Sequence, residues 1–265
     1  MNVYRIQSNN ALSINSSGGQ LMKWKIGDYY VKTSTLNTQS LKEEFMFESF
    51  GEVIASRIGK RLGLDIVTYR LCEVIIDDRI RTIACESREF KPEGYKEFSI
   101  GKLIQIGKIP VLNYGDIRGY IKLIESINGL FKINIRRYID TILLFDSIIL
   151  NDDRHFGNFG FMVKENHAKT LPLFDNGNSL FCHKSINELD YSENLVNYLR
   201  FKPFSINCNE QLSLIDRSIL DKDKLLGIKA YIRNLLYEMI DYGLPKKRAK
   251  FIRDLLYSRI DYIVK

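Results

Sequence analysis

No stretch of this 265-residue sequence reaches the roughly 18 consecutive apolar residues of a membrane-spanning helix. The first residues, MNVYRIQSNNALSINSSGGQ, have no continuous apolar core of a secretory signal. Both absences set the expectation of a soluble protein folding in a reducing cytoplasm, with export by a route without a cleaved signal left open. The four cysteines, Cys72, Cys85, Cys182 and Cys208, are scattered without a CxxC pair, which excludes the spacing of a zinc site or a disulfide framework. There is no G-x-G-x-x-G, no internal repeat and no low-complexity tract. Lysine and arginine outnumber aspartate and glutamate by 39 to 32, a net charge of +7 that favours polyanionic partners such as nucleotides. The excess is dispersed, so an obligate nucleic-acid partner is not expected. With 45% hydrophobic and 27% charged residues the chain is not disordered, and it can bury one large domain or two lobes.

From the N-terminus, apolar runs of period two at Val3 to Ile6, Ala11 to Ile14, Leu21 to Ile26 and Tyr29 to Lys32 predict an antiparallel sheet. The loop Asn15-Ser16-Ser17-Gly18-Gly19-Gln20 suits either a plain hairpin turn or a cover for phosphates, because paired glycines let backbone N–H groups come close to a ligand. Leu41 to Leu62 has helical apolar spacing and carries Glu48 and Glu52; Glu52, at the edge of the apolar face, can reach Lys32 on the sheet. Strands follow at Val67 to Ile76 and Ile80 to Cys85, then Glu86-Ser87-Arg88 leads into a stretch without sheet character. That change is read as a hinge, with the backbone around Cys85, Glu86 and Ser87 facing an adenine ring. Helical patterns occupy Asp116 to Asn128, Ile133 to Leu150, Glu210 to Leu214, Lys222 to Tyr242 and Pro245 to Val264, and Arg200 to Ser205 reads as a loop. The last helix sets Lys246, Lys247, Arg248, Lys250 and Arg253 on a solvated basic face opposite Phe251, Ile252, Leu255 and Leu256.

The densest chemistry lies in FDSIILNDDRHFGNFGFMVKENHAKTLPLFDNGNSLF, from Phe145 to Phe181. Asn158 follows Asp153 by five positions, and a second apolar run ends at Asp175-Asn176-Gly177. Phosphoryl transfer needs a carboxylate for the acceptor hydroxyl, and an amide oxygen and a further carboxylate for magnesium. Preceded by a glycine loop, a strand lysine and a helix glutamate, these residues stand in the order of a kinase site.

Asn151-Asp-Asp-Arg-His-Phe-Gly-Asn158, Leu171-Pro-Leu-Phe-Asp-Asn-Gly177, YYVKTS around Lys32 and the Glu52 helix closed by Leu62-Gly63-Leu64 together resemble the kinase core of the HipA family. These are bacterial serine/threonine kinases related in fold to the phosphatidylinositol 3- and 4-kinases. The resemblance implies an α+β, bilobal kinase-like fold with a small β-rich N-lobe, residues 1–87, and a larger helical C-lobe, residues 88–265. It implies Asp153 as the catalytic aspartate, Asn158 and Asp175 as magnesium ligands, and Lys32, paired with Glu52, on the ATP phosphates under Ser17, Gly18 and Gly19. His155 stands inside the motif as a further catalytic candidate.

The expected activity is ATP-dependent phosphorylation of serine or threonine in an unidentified protein substrate, with ATP and Mg2+ required. Family members can phosphorylate a serine in the loop over the nucleotide, where Ser13, Ser16 and Ser17 stand here. Family toxins carry an extra N-terminal domain for a DNA-binding antitoxin; only about thirty residues precede Lys32, which counts against an antitoxin partner. A lipid or small-molecule kinase using the same cleft, and a nucleotide- or nucleic-acid-binding module without turnover, stay open as alternatives.

Overall fold

In the computed structural model, residues 1–15, 21–37, 44–131, 134–165, 167–185, 201–204 and 207–264 are described. They form two compact units that are not contiguous in sequence. The first takes Met1–Phe90, Asp175–Leu189 and Gly227–Leu255; the second takes Lys91–Phe174, Asp190–Leu226 and Leu256–Lys265. Where the sequence reading has a single boundary at 87/88, the chain returns twice to the first unit.

The first unit is built on a six-stranded sheet. Its strands are β1 (Val3–Ile6), β2 (Ser13–Asn15), β3 (Leu21–Ile26), β4 (Tyr29–Thr33), β7 (Tyr69–Ile76) and β8 (Ile80–Arg88), in the order β1-β7-β8-β4-β3-β2. Every pairing is antiparallel except β1 with β7, which is parallel and departs from the expected antiparallel sheet. A two-stranded ribbon, β5 (Leu36–Asn37) with β6 (Glu44–Phe45), precedes helix α1 (Glu48–Arg61). That ribbon delays the start of the helix from the expected Leu41. Asp77 and Asp78, between β7 and β8, both take left-handed backbone, which aspartate tolerates better than branched residues.

Alternation sends the two faces of the sheet to different partners. Met22, Trp24, Val31, Cys72, Val74 and Ala84 join Ile6 and Ile76 in one apolar core. Lys32, next to Val31, points the other way, toward α1. There the helix is clamped to the sheet by Ser56, whose hydroxyl donates to the Val67 carbonyl (2.8 Å) and accepts from the Tyr69 N–H (3.1 Å).

In the second unit, β9 (Lys96–Ser99), β10 (Gly160–Lys164) and β11 (His167–Thr170) make a small sheet in the order β11-β10-β9. Its strand β9 falls in the stretch that the sequence patterning reads as lacking sheet character. Gly160 is required where β10 meets β9, because a Cβ there would run into the Phe98 carbonyl. Helices α2 (Ile100–Gln105), α3 (Arg118–Phe131), α4 (Arg136–Ile149) and α5 (Cys208–Ser213) complete it. The buried phenol of Tyr120 on α3 donates to Asp140 on α4.

Helix α6 (Ile228–Asp241) belongs to the first unit, where Arg57 of α1 makes a two-bond pair with Glu238 (3.0 Å each). The last helix, α7 (Lys246–Val264), gives residues to both units. Its expected basic face is real at Lys246, Lys247 and Lys250, which are exposed. Arg248 is a correction: it is fully buried and donates to the carbonyls of Phe181 (3.0 Å) and Lys184 (2.5 Å).

Candidate active site

In the first unit, three charged side chains from three distant parts of the chain converge. Lys32, on β4, donates to Oε1 of Glu52 on α1 at 2.9 Å and to Oδ1 of Asp175 at 2.5 Å. Glu52 is fully buried, whereas the Asp175 side chain is 39% exposed and so can meet a ligand. Burial works against the charge on Lys32, but the Asp175 and Glu52 carboxylates outweigh it and hold the ammonium well above the ordinary lysine value.

The second oxygen of Glu52 accepts the backbone N–H of Asn176 at 2.8 Å. One glutamate thereby fastens both the strand lysine and the turn that follows Asp175. Asp175 itself has left-handed backbone, φ 57°, which reverses the chain into Asn176-Gly177. Gly51 on α1 is also part of this arrangement, since a Cβ there would stand 2.7 Å from the Gly177 carbonyl. A glycine inside a helix is the sequence signal for such a close approach.

In the second unit, α4 ends at Leu150, in left-handed conformation, and the chain enters the loop of Asp153. This loop is organised from beneath by a buried ion pair. Arg154 (1% exposed) donates through Nε and Nη2 to the two oxygens of Asp146 (0%) at 2.9 and 2.8 Å. Burial pushes the Asp146 carboxyl up, with Arg154 and Asn151 pulling the other way. Asn151 donates to Asp146 at 3.2 Å, and its own oxygen accepts the Asp153 N–H at 3.2 Å. The remaining arm of Arg154 donates to the Phe174 carbonyl at 2.6 Å, immediately before Asp175 in the chain. Asp146, an acid inside the apolar run FDSIIL, and Arg154, a base inside the motif, were both visible in sequence; their pairing was not.

The Asp153 carboxylate accepts from Lys202 at 2.6 Å. Two backbone bonds, His155 N–H to the Asp153 carbonyl (2.8 Å) and Asn158 N–H to the His155 carbonyl (2.9 Å), wind the loop tightly from the aspartate to Asn158. His155 turns back on its own loop, where Nδ1 accepts the Gly157 N–H at 3.1 Å. That contact makes it a brace of the turn.

The residues expected to face a nucleotide differ in their placement. Ser16, Ser17, Gly18 and Gly19 lie outside the described residues, and Ser13 is in β2. Cys85, Glu86 and Ser87 are inside β8, with β4 paired on one edge and β7 on the other. A backbone laddered on both sides has its donors and acceptors occupied, so the strand backbone at these three residues is committed to the sheet rather than to the expected adenine ring. The Glu86 side chain is 3% exposed and accepts from the Tyr4 hydroxyl (2.5 Å) and from Asn2 (3.0 and 3.1 Å). It secures the parallel edge strand β1.

Among the described residues no cluster of three or more His, Cys, Asp or Glu could hold a metal by itself. Magnesium does not need one. It takes oxygen ligands, keeps several waters and is completed by substrate phosphates, so the carboxylate of Asp175 and the amide oxygen of Asn158 are donors of the fitting kind.

No protein-family model matches the chain, and no curated protein matches it in sequence. Solved structures match it in fold. The proinflammatory kinase CtkA of Helicobacter pylori aligns over 97% of this chain and 94% of its own, with a TM-score of 0.65 and 17% identity. HipA of Shewanella oneidensis, solved with HipB and operator DNA, aligns over 96% of this chain and 65% of its own, with a TM-score of 0.52 and 14% identity. The chain has the α+β kinase-like fold of these two proteins, with a curled β-sheet N-terminal region and a helical C-terminal part.

Proposed function

We propose that this chain, with its HipA-like kinase fold, is an ATP-dependent kinase acting on serine or threonine of a protein. The observation that carries the reading is the junction of Lys32 with both Glu52 and Asp175. A strand lysine paired with a helix glutamate and a metal-binding aspartate is the working arrangement of phosphoryl-transfer sites. The two carboxylates keep Lys32 a cation, which is the form that would meet nucleotide phosphates.

Lys32 would contact the α- and β-phosphates, with Glu52 setting the direction of its ammonium. Asp175 and Asn158 would hold Mg2+, whose charge offsets that of the phosphates when nucleotide is bound. Asp153 would receive the proton of the acceptor hydroxyl, on a loop held by Asn151 and Arg154. Autophosphorylation at Ser13, Ser16 or Ser17 belongs to the same reading.

The test is transfer of labelled γ-phosphate from Mg-ATP to the protein itself and to a generic acceptor protein, beside Asp153→Asn. The expected result is label on serine or threonine that falls by about 1,000-fold or more in the variant while ATP still binds. Mass spectrometry of the labelled chain locates the sites. Full turnover by Asp153→Asn would remove Asp153 from its role. Label on inositol lipids but on no protein would replace the protein acceptor by a lipid.

A further inference from the structure

Phe201, Lys202, Pro203 and Phe204 belong to no helix or strand, and all four are anchored in the second unit. Phe201 and Phe204 are 1% and 0% exposed. The Phe204 ring meets Tyr120 edge-on, with centroids 5.7 Å apart, and lies 6.0 Å from the ring of Phe156. The backbone is tied as well: the Gly115 N–H donates to the Pro203 carbonyl at 3.0 Å, and the Phe204 N–H donates to Gln211 at 3.3 Å. The Lys202 N–H donates to the Asp152 carbonyl at 3.3 Å, joining the segment to the loop of Asp153.

Between the buried rings, Lys202 carries its ammonium to Oδ1 of Asp153, 2.6 Å away, with Tyr114 beside it at 5.8 Å. The hydrogen bond to Asp153 raises the lysine above its ordinary value, so it is a cation at neutral pH. Its side chain is 43% exposed, and a pair so open to water adds little to stability. Fixing a long, mobile side chain there is better explained by what it does to its partner.

We infer that Lys202 is a positioning residue for phosphoryl transfer, holding the Asp153 carboxylate in the orientation from which it receives the proton of the acceptor hydroxyl. The inference rests on the kinase reading above. In that step the hydroxyl oxygen bonds to the γ-phosphorus. The bond from that phosphorus to the bridging oxygen breaks, ADP leaves with the electron pair, and the hydroxyl proton passes to Asp153. With the Asp153 N–H held by Asn151 and one carboxylate oxygen held by Lys202, the plane of the carboxylate is set before the acceptor arrives. Preset geometry of this kind acts on the turnover step more than on nucleotide binding.

The experiment compares wild type, Lys202→Met and Lys202→Arg in steady-state transfer from Mg-ATP to the acceptor protein, with melting temperature and ATP binding measured on each. Lys202→Met is expected to lose about 30-fold in kcat at nearly unchanged KM for ATP and unchanged melting temperature, and Lys202→Arg to regain about 10-fold of that loss. If the methionine variant melts early, Lys202→Gln, which removes the charge but keeps a polar end, is read in its place. A kcat within about twofold of wild type, a loss confined to KM, or an arginine variant as slow as the methionine one overturns the inference and leaves the kinase reading standing. Absence of transfer by the wild-type protein overturns the kinase reading, and this inference with it.

Discussion

Gly51 and Gly177 meet backbone to backbone. A Cβ on Gly51 would stand 2.7 Å from the Gly177 carbonyl oxygen and 3.2 Å from Cys182, and one on Gly177 would stand 3.2 Å from Cβ of Glu48. This closeness lets α1 bring Glu52 within 2.8 Å of the Asn176 N–H while holding Lys32 with its other oxygen. Side chains at either position would wedge the helix away from the turn.

Gly51→Ala weighs two effects against each other. Alanine favours the helix by up to about 1 kcal/mol. Overpacking against a backbone carbonyl, which cannot rotate aside, costs about 1–3 kcal/mol. The expected net result is a lower melting temperature together with ATP binding weakened about tenfold or more, as the Asn176 turn loses its register with Glu52. Thermal melting and nucleotide titration read the two effects; a variant as stable as wild type that binds ATP normally would show that the turn can yield.

The Arg154–Asp146 pair yields a prediction in two parts. Arg154→Leu leaves the Asp146 carboxylate buried without its guanidinium and is expected to cost about 3–5 kcal/mol in chemical denaturation. Asp146→Leu combined with Arg154→Met removes both charges and is expected to recover most of that stability. Transfer activity should stay low in the double variant, because the Phe174 carbonyl and Asn151 each lose a partner. Activity restored along with stability would show that the pair only supports the fold.

Glu86 separates a structural role from a nucleotide-binding one. Tyr4, whose hydroxyl is pushed up to about 12 by burial and by its bond to Glu86, and Asn2 both spend their polar groups on this carboxylate. Tyr4→Phe is expected to cost about 1–3 kcal/mol through loss of a hydrogen bond to a charged, buried group. Hydrogen exchange in Val3 to Ile6 should quicken, and ATP affinity should not change. A fall in ATP affinity without faster exchange would return Glu86 to the nucleotide site.

The strands Val3 to Ile6 and Leu21 to Ile26 were legible to the residue, because alternation of apolar and polar side chains is a local property of a half-buried strand. The 96–99 strand escaped notice since KEFS has too few apolar residues to signal itself, and it exists as a strand by pairing with Gly160 to Val163. Arg248 was misassigned to a solvated face for a similar reason. Its charge is satisfied by carbonyls of Phe181 and Lys184, and helical periodicity carries no information about distant carbonyls.

By itself, the sequence determined which groups are available for chemistry: an acid and an amide five positions apart, a further acid before Asn176-Gly177, and a lysine opposite in face to Val31. Residue type and spacing settle such matters because they depend on bond geometry over a few residues. Only the tertiary structure decided which groups share a proton or a charge. Glu52 serves Lys32 and Asn176 together, Arg154 serves Asp146 and Phe174 together, and Lys202 reaches Asp153 across 49 positions of chain. Each of these is a contact between segments far apart in sequence, fixed by burial of the apolar faces that carry them, and no local pattern records its partner.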